Sequence, residues 1–220
     1  MALVHGIKPI VTNGLVLSLD AGNRKSYPGS GDIWTDLSGN GNTGTLVGGT
    51  GYNSANGGSL TFDGTDDYVQ KTSATANMSA GVTMEVIFKS TDLTSRAQGL
   101  MSWNSAPPYI NLWSHSGGKL RFECFGAYST TATFSNNTWY HLVGTHKSND
   151  LNLYVNGSNV IFNVNQGGTL SSSYTANIVI GEFAGYMSGN IAKVSIYNRA
   201  LSATEIAQNY NALKGRYGLT

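Results

Sequence analysis

The residues that could recognise a sugar fall in one short stretch. Trp103 and Asn104 precede Pro107-Pro108, and Tyr109, Asn111, Trp113 and His115 follow it. A glycan site needs aromatic faces for stacking, with amide or hydroxyl groups beside them for hydrogen bonds. On a strand, Tyr109, Asn111 and Trp113 share one face. Trp103, Tyr109 and Trp113 are therefore the candidate carbohydrate-binding residues. The plainer reading is that Trp and Tyr at this density simply pack a core. A second aromatic set, Tyr174, Phe183 and Tyr186, sits near turns.

Catalytic spacings are harder to find. A retaining glycosidase places two carboxyl groups about 5–5.5 Å apart across the scissile bond. An E-x-D-x-E strand does this, because alternate residues share a face. Glu85 and Glu123 each stand alone on their strands, and Asp66-Asp67, being adjacent, would face opposite ways on a strand. His5, His115, His141 and His146 form no H-E-x-x-H or comparable ligand spacing, and no G-x-S-x-G elbow is present. On these grounds the sequence reads as non-enzymatic. Cys124 shares a strand face with Leu120 and Phe122 and reads as a small buried apolar residue.

The elements that must position these residues are strands. Only 11% of the 220 residues are charged, against roughly 25% in an ordinary domain. In their place stand 28 Gly, 22 Asn, 24 Ser and 21 Thr, the residues of turns. With 40% hydrophobic residues and a net charge of +1, the chain can bury a core and lacks the signature of charged disorder. No Lys/Arg cluster marks a nucleic-acid surface. No apolar run approaches the roughly 20 residues of a membrane span, and the first residues do not read as a secretory signal.

Period-two alternation is clearest in Val82–Lys89, which puts Val82, Met84, Val86 and Phe88 on one face. Leu15–Leu19, Leu60–Asp63, Asp67–Gln70, Leu120–Cys124, Trp139–Thr145, Ile178–Gly181 and Ile191–Tyr197 read as further strands. Leu151–Asn156 and Val160–Phe162 flank Asn156-Gly157, a hairpin signal. Trp139 reads as a core residue. Ser202-Ala203-Thr204-Glu205 is a capping box. Ile206, Tyr210 and Leu213 follow it as one apolar stripe, with Gly215 as the expected C-terminal cap. This helix reads as a lid on a sandwich, and Leu3–Val11 as an arm suited to assembly or simply frayed.

Several ordered segments resemble the concanavalin A-like, laminin G-like superfamily, in its laminin G type 3 subgroup. They are Gly14–Gly22, the loop Trp34–Gly44 (W-T-D-L-S-G-N-G-N-T-G), Leu60–Val69 (L-T-F-D-G-T-D-D-Y-V), Trp139–Val143, the Asn156-Gly157 hairpin and Ile196–Ser202 (I-Y-N-R-A-L-S). The resemblance implies an all-β, concanavalin A-like (laminin G-like) jelly-roll sandwich of two antiparallel sheets with one short C-terminal helix. The expected organisation is an arm over residues 1–12, the sandwich over 13–214 and a tail over 215–220.

The resemblance also implies oxygen ligands for calcium. Asp36, Asn40 and Asn42 crowd one loop that Asp20 could approach, although Ala192 or Lys193 stands where the subgroup carries an acid. The alternative is that Asp36 and the Asn residues bond their own turn. Lys25–Gly31 and Gln208–Leu219 resemble versions found in tailed-bacteriophage virion proteins. They imply a non-enzymatic particle component in the virion, a fibre or decoration protein. Its partners would be copies of itself and other virion proteins, with host-surface glycan as a further contact and neither nucleic acid nor membrane insertion. The other reading is a stand-alone carbohydrate-binding module, with or without calcium.

Overall fold

The computed structural model describes residues 8–104, 109–130, 132–165 and 168–219. In chain order the strands are β1 (Leu15–Asp20), β2 (Ile33–Trp34), β3 (Gly44–Val47), β4 (Gly51–Asn53), β5 (Ser59–Asp63), β6 (Tyr68–Ala76), β7 (Val82–Ser90) and β8 (Gln98–Asn104). They continue as β9 (Ile110–His115), β10 (Lys119–Cys124), β11 (Ala127–Ser129), β12 (Trp139–Lys147), β13 (Asp150–Val155), β14 (Ser158–Asn165), β15 (Tyr174–Ile180) and β16 (Ser188–Tyr197), followed by helix α1 (Ala203–Tyr217). Two antiparallel sheets result. Sheet A runs β14-β13-β12-β7-β16-β5-β4, with β1 also paired to β16. Sheet B runs β11-β10-β9-β8-β15-β6-β3-β2. This is the two-sheet sandwich the alternation implied. Residues 3–7 of the arm expected over Leu3–Val11, and Pro107-Pro108, lie outside the described residues.

The core lies between the sheets. Val82, Met84, Val86 and Phe88 project from β7 into it, as their period predicts, and meet Leu112, Phe122 and Trp103 from sheet B. Cys124 is buried there too. The opposite face of β7 is buried as well: Thr83, Glu85 and Ile87 are all at 1% exposure or less. The cause is α1, which lies on the outer face of sheet A with the chain just before β1. Ile206 packs on Val143, Tyr154, Tyr197 and Val11, while Leu213, Tyr217 and Leu219 pack on Ile87 and Ala192.

Two expectations change here. Trp139 is not in the inter-sheet core. It is half-buried on the helix side of sheet A, 6.0 Å from the Tyr217 ring, because Tyr140 takes the inward position of β12. The helix also does not stop at Gly215. It runs to Tyr217 and is capped by Gly218 in the left-handed region (φ 63°). The extra turn buries Tyr217 and, just past the cap, Leu219, and their packing outweighs the local stop signal. The capping box forms as read: Ser202 accepts from the Glu205 N–H, and the Glu205 carboxylate accepts from the Ser202 N–H.

A polar network is locked beneath the helix. His141 Nε2 lies 2.6 Å from Glu85 Oε1, and both side chains are all but inaccessible. Asn209 of α1 donates its amide to both Glu85 oxygens at 3.2 Å and to the Tyr197 hydroxyl at 3.0 Å. Its Oδ1 accepts from Val11 N–H at 2.8 Å. The Tyr197 hydroxyl donates to the Val11 carbonyl. Burial alone would push the Glu85 carboxyl up. The His141 hydrogen bond and charge, the Lys193 charge and the Asn209 amide outweigh it and hold the group below its ordinary 4.5.

Removing one member leaves an uncompensated buried partner, so Glu85→Ala should cost about 3–5 kcal/mol in urea denaturation. A carboxyl lowered on folding contributes stability that is present above its unfolded value and lost as the pH falls through it toward the folded value. Wild-type stability should therefore fall as the pH drops below about 4.5, and Glu85→Gln, less stable at neutral pH, should lose less across that range.

Candidate functional site

With sheet A sealed by α1, the outer face of sheet B is the open surface of the sandwich. Strand registers place its residues in rows. Thr45 faces Gln70, Gln70 faces Val179, Val179 faces Ser102, Ser102 faces Asn111, and Asn111 faces Glu123. Beside Asn111, Trp113 faces Arg121 and His115 faces Lys119.

Two of the three predicted sugar residues are on this face. Tyr109 precedes β9 and is 43% exposed. Trp113 is mostly covered by its neighbours. The Arg121 guanidinium sits 4.8 Å over its ring, and Phe183 and His115 meet it edge-on, each at 5.7 Å. Phe183 arrives on the loop between β15 and β16, which crosses β8 at Gly99. A Cβ at Gly99 would collide with the Phe183 backbone, so a side chain there would lift the loop. Among the described residues the buried Trp113 indole N–H has no partner. Next to it, Asn104 donates to Asn111 Oδ1 at 2.6 Å, and Asn111 donates to Glu123 Oε2 at 2.9 Å.

Trp103 does not join them. It points from β8 to the opposite side, fully buried. Its Nε1 donates to the Ala176 carbonyl at 3.2 Å, and its ring packs edge-on to Tyr174. An irregularity between Gly99 and Met101 resets the alternation of β8, and Met101 and Trp103 then pair with the inward Leu112 and Ile110.

The proposed calcium residues do not form one donor set. Asp36 has all its acceptor capacity filled: Oδ1 takes the N–H groups of Ser18 and Ser38, and Oδ2 takes the Ser38 hydroxyl and the Asn42 N–H. Asn42 and Ser38 donate to the Val16 carbonyl, and Asn40 donates to the Leu15 carbonyl. The loop thus pairs with the free edge of β1 as a missing strand would. Asp20 is elsewhere engaged, in a two-pronged ion pair with Arg216 at 2.6 and 2.8 Å. Lys193, at the place of the expected acid, buries its ammonium against Ser18 Oγ. A guanidinium and an ammonium thus stand beside Asp20, and this arrangement does not fit a divalent cation.

One acidic group was not foreseen. Asp63, Asp66 and Asp67 bring carboxylate oxygens within 4.8 Å of one another. Adjacent residues converge because they lie in a turn rather than on a strand. Asp63 organises that turn, accepting from the Thr65 and Asp66 N–H groups, and the Thr65 bond leads in holding its carboxyl down. Asp67 is pushed up, first by burial.

A family model described as the concanavalin A-like lectin/glucanases superfamily, laminin G type 3, matches residues 63–207. The chain belongs to this family. No curated protein sequence matches the laminin G type 3 chain significantly. Among solved structures it is similar to domain 4 of a GH43 extracellular arabinanase from Geobacillus stearothermophilus, in complex with arabinotriose. That match has 17% identity and a TM-score of 0.69, and covers 89% of this chain and 98% of that one. It is also similar to Trypanosoma rangeli sialidase in complex with the inhibitor DANA (16%, TM-score 0.70, 94% and 36%). A third is a botulinum neurotoxin type C structure, from work on cell entry through two ganglioside molecules (12%, TM-score 0.70, 92% and 52%). The chain thus spans nearly all of the arabinanase domain but only about a third of the sialidase. At these identities the likeness is one of fold.

These neighbours correct the expectation of a non-enzymatic chain, since an arabinanase and a sialidase share its sandwich. Paired carboxylates on one strand are one catalytic arrangement among several.

The loop geometry yields a direct expectation. Asp36→Ala should lose about 1–3 kcal/mol of stability, because it orphans backbone donors at the β1 edge. In thermal denaturation the loss should be the same with calcium or chelator, and the wild-type midpoint should not move between them.

Proposed function

We propose that the chain is a carbohydrate-binding, lectin-like module that holds glycan on the outer face of sheet B. The observation that carries this reading is the asymmetry of the sandwich. One sheet face is sealed by α1. The other presents an exposed Tyr109, an exposed Thr45 and a half-buried Gln70, with Trp113 mostly covered among Arg121, Phe183 and His115. That combination of apolar rings and hydrogen-bonding groups suits a sugar, whose C–H face is apolar and whose rim is polyhydroxylated. The fold neighbours support it, one being in complex with arabinotriose and another connected with gangliosides. The module could equally serve a bacteriophage particle, where it would supply the host-glycan contact.

The test is a glycan array followed by titration calorimetry of the best ligand. Tyr109→Ala removes an exposed ring with little effect on folding. It should weaken binding by up to about tenfold, equivalent to roughly 1.4 kcal/mol. Trp103→Phe should leave affinity unchanged at temperatures where it stays folded, since that ring faces the core. Absence of binding to every glycan would overturn the reading.

A further inference from the structure

The same face carries a second opening, at the far end from Trp113. A groove of about 400 Å3 is lined by Thr43, Thr45, Val47, Gln70, Lys71 and Thr72. Its chemistry is that of a polyol site: three hydroxyls, one amide, one ammonium and an isopropyl group. Exposed Ile33 lies beside it, opposite Thr45, and Tyr68 lies opposite Val47. Thr43 Oγ1 accepts from the Asp36 N–H. The side chains of Thr45, Gln70, Lys71 and Thr72 make no hydrogen bond or ion pair among the described residues. This contrasts with the Trp113 end, where Asn104, Asn111 and Glu123 are bonded to one another. The hydrogen-bonding capacity of the groove is unspent.

The groove and the aromatic end are in register. Gln70 of β6 stands opposite Val179 of β15, Val179 opposite Ser102 of β8, and Ser102 opposite Asn111 of β9, between Tyr109 and Trp113. Three strand spacings separate Gln70 from Asn111, about 14 Å. That distance exceeds one sugar ring and matches a short run of linked rings. The residues between them, Val179 and Ser102, are small; Val179 is half-buried and Ser102 is buried.

From this we infer that the groove is a distal subsite, and that the ligand is an extended oligosaccharide crossing the strands from Trp113 and Tyr109 to Thr45 and Gln70. A single terminal sugar would use only one end. This inference rests on the carbohydrate-binding reading and adds to it the length of the ligand.

The experiment uses the full chain and neutral oligomers of arabinose, glucose, galactose and mannose, from one to six units. Affinities are measured by calorimetry for wild type and for the double variant Thr45→Ala/Gln70→Ala. Both sites are on the surface, so the thermal midpoint should be unchanged, and the single variants replace the double one if it is not. The expected result is an affinity that rises at least tenfold with length in one series, with the variant losing that gain for long oligomers while binding short ones as wild type does. Binding that is flat with length, or long-oligomer binding that the variant does not weaken, would overturn the distal subsite and leave the carbohydrate reading standing. No binding at any length in any series would overturn both.

Discussion

The contact between Asn209 of α1 and the buried Glu85–His141 pair governs the molecule. The Asn209 amide is satisfied in one position only, with Oδ1 on the Val11 N–H and Nδ2 shared between Glu85 and Tyr197. Sliding the helix by one turn would take the Asn209 donor from the buried Glu85 carboxylate and orphan the Val11 N–H, at about 1–3 kcal/mol for each buried group left unpaired. Apolar packing of Ile206, Leu213 and Tyr217 holds the helix on sheet A. The polar network fixes where on the sheet it lies. Through Val11 it also ties the segment before β1, and through His141 and Tyr197 it spans β12 and β16.

Once sheet A is committed to the helix, the two sheets have different surfaces. Beneath the helix, the Glu85, His141 and Tyr197 side chains of sheet A are buried and joined through Asn209. On sheet B, Asn104, Asn111 and Glu123 are bonded to one another, while the side chains of Thr45, Gln70 and Thr72 make no hydrogen bond among the described residues. The low charge of the chain has the same consequence. With few ionic groups in the chain, the open face offers hydroxyls, amides and aromatic rings beside Lys71, Arg121 and Glu123. Asp36 shows the same economy at the sandwich edge: a motif with the composition of a cation loop caps an unpaired strand, which removes a site for edge-to-edge association.

Much of this was legible in the sequence. The alternation of Val82–Lys89, the Asn156-Gly157 turn and the Ser202 capping box are local patterns, and each formed as read. What escaped depends on partners distant in the chain. Trp103 and Trp113 belong to one aromatic stretch, but the irregularity at Gly99 sends them to opposite faces, and only the pairing with β9 reveals it. The role of Asp36 lies in backbone groups of β1 some 18 residues earlier. The extension of α1 past Gly215 depends on the pocket that Tyr217 fills. The short strands β2 and β3 carry no periodic signal of their own, so the groove that β3 frames with β6 could not be read from composition.

The claim that the helix closes one face and leaves the other for ligand is tested most directly by amide hydrogen exchange, with and without a saturating bound oligosaccharide. The account predicts slowed exchange in β3, β6, β8 and β9 and no change in α1 or β16. Protection confined to α1 and the strands beneath it, with sheet B unaffected, would contradict it.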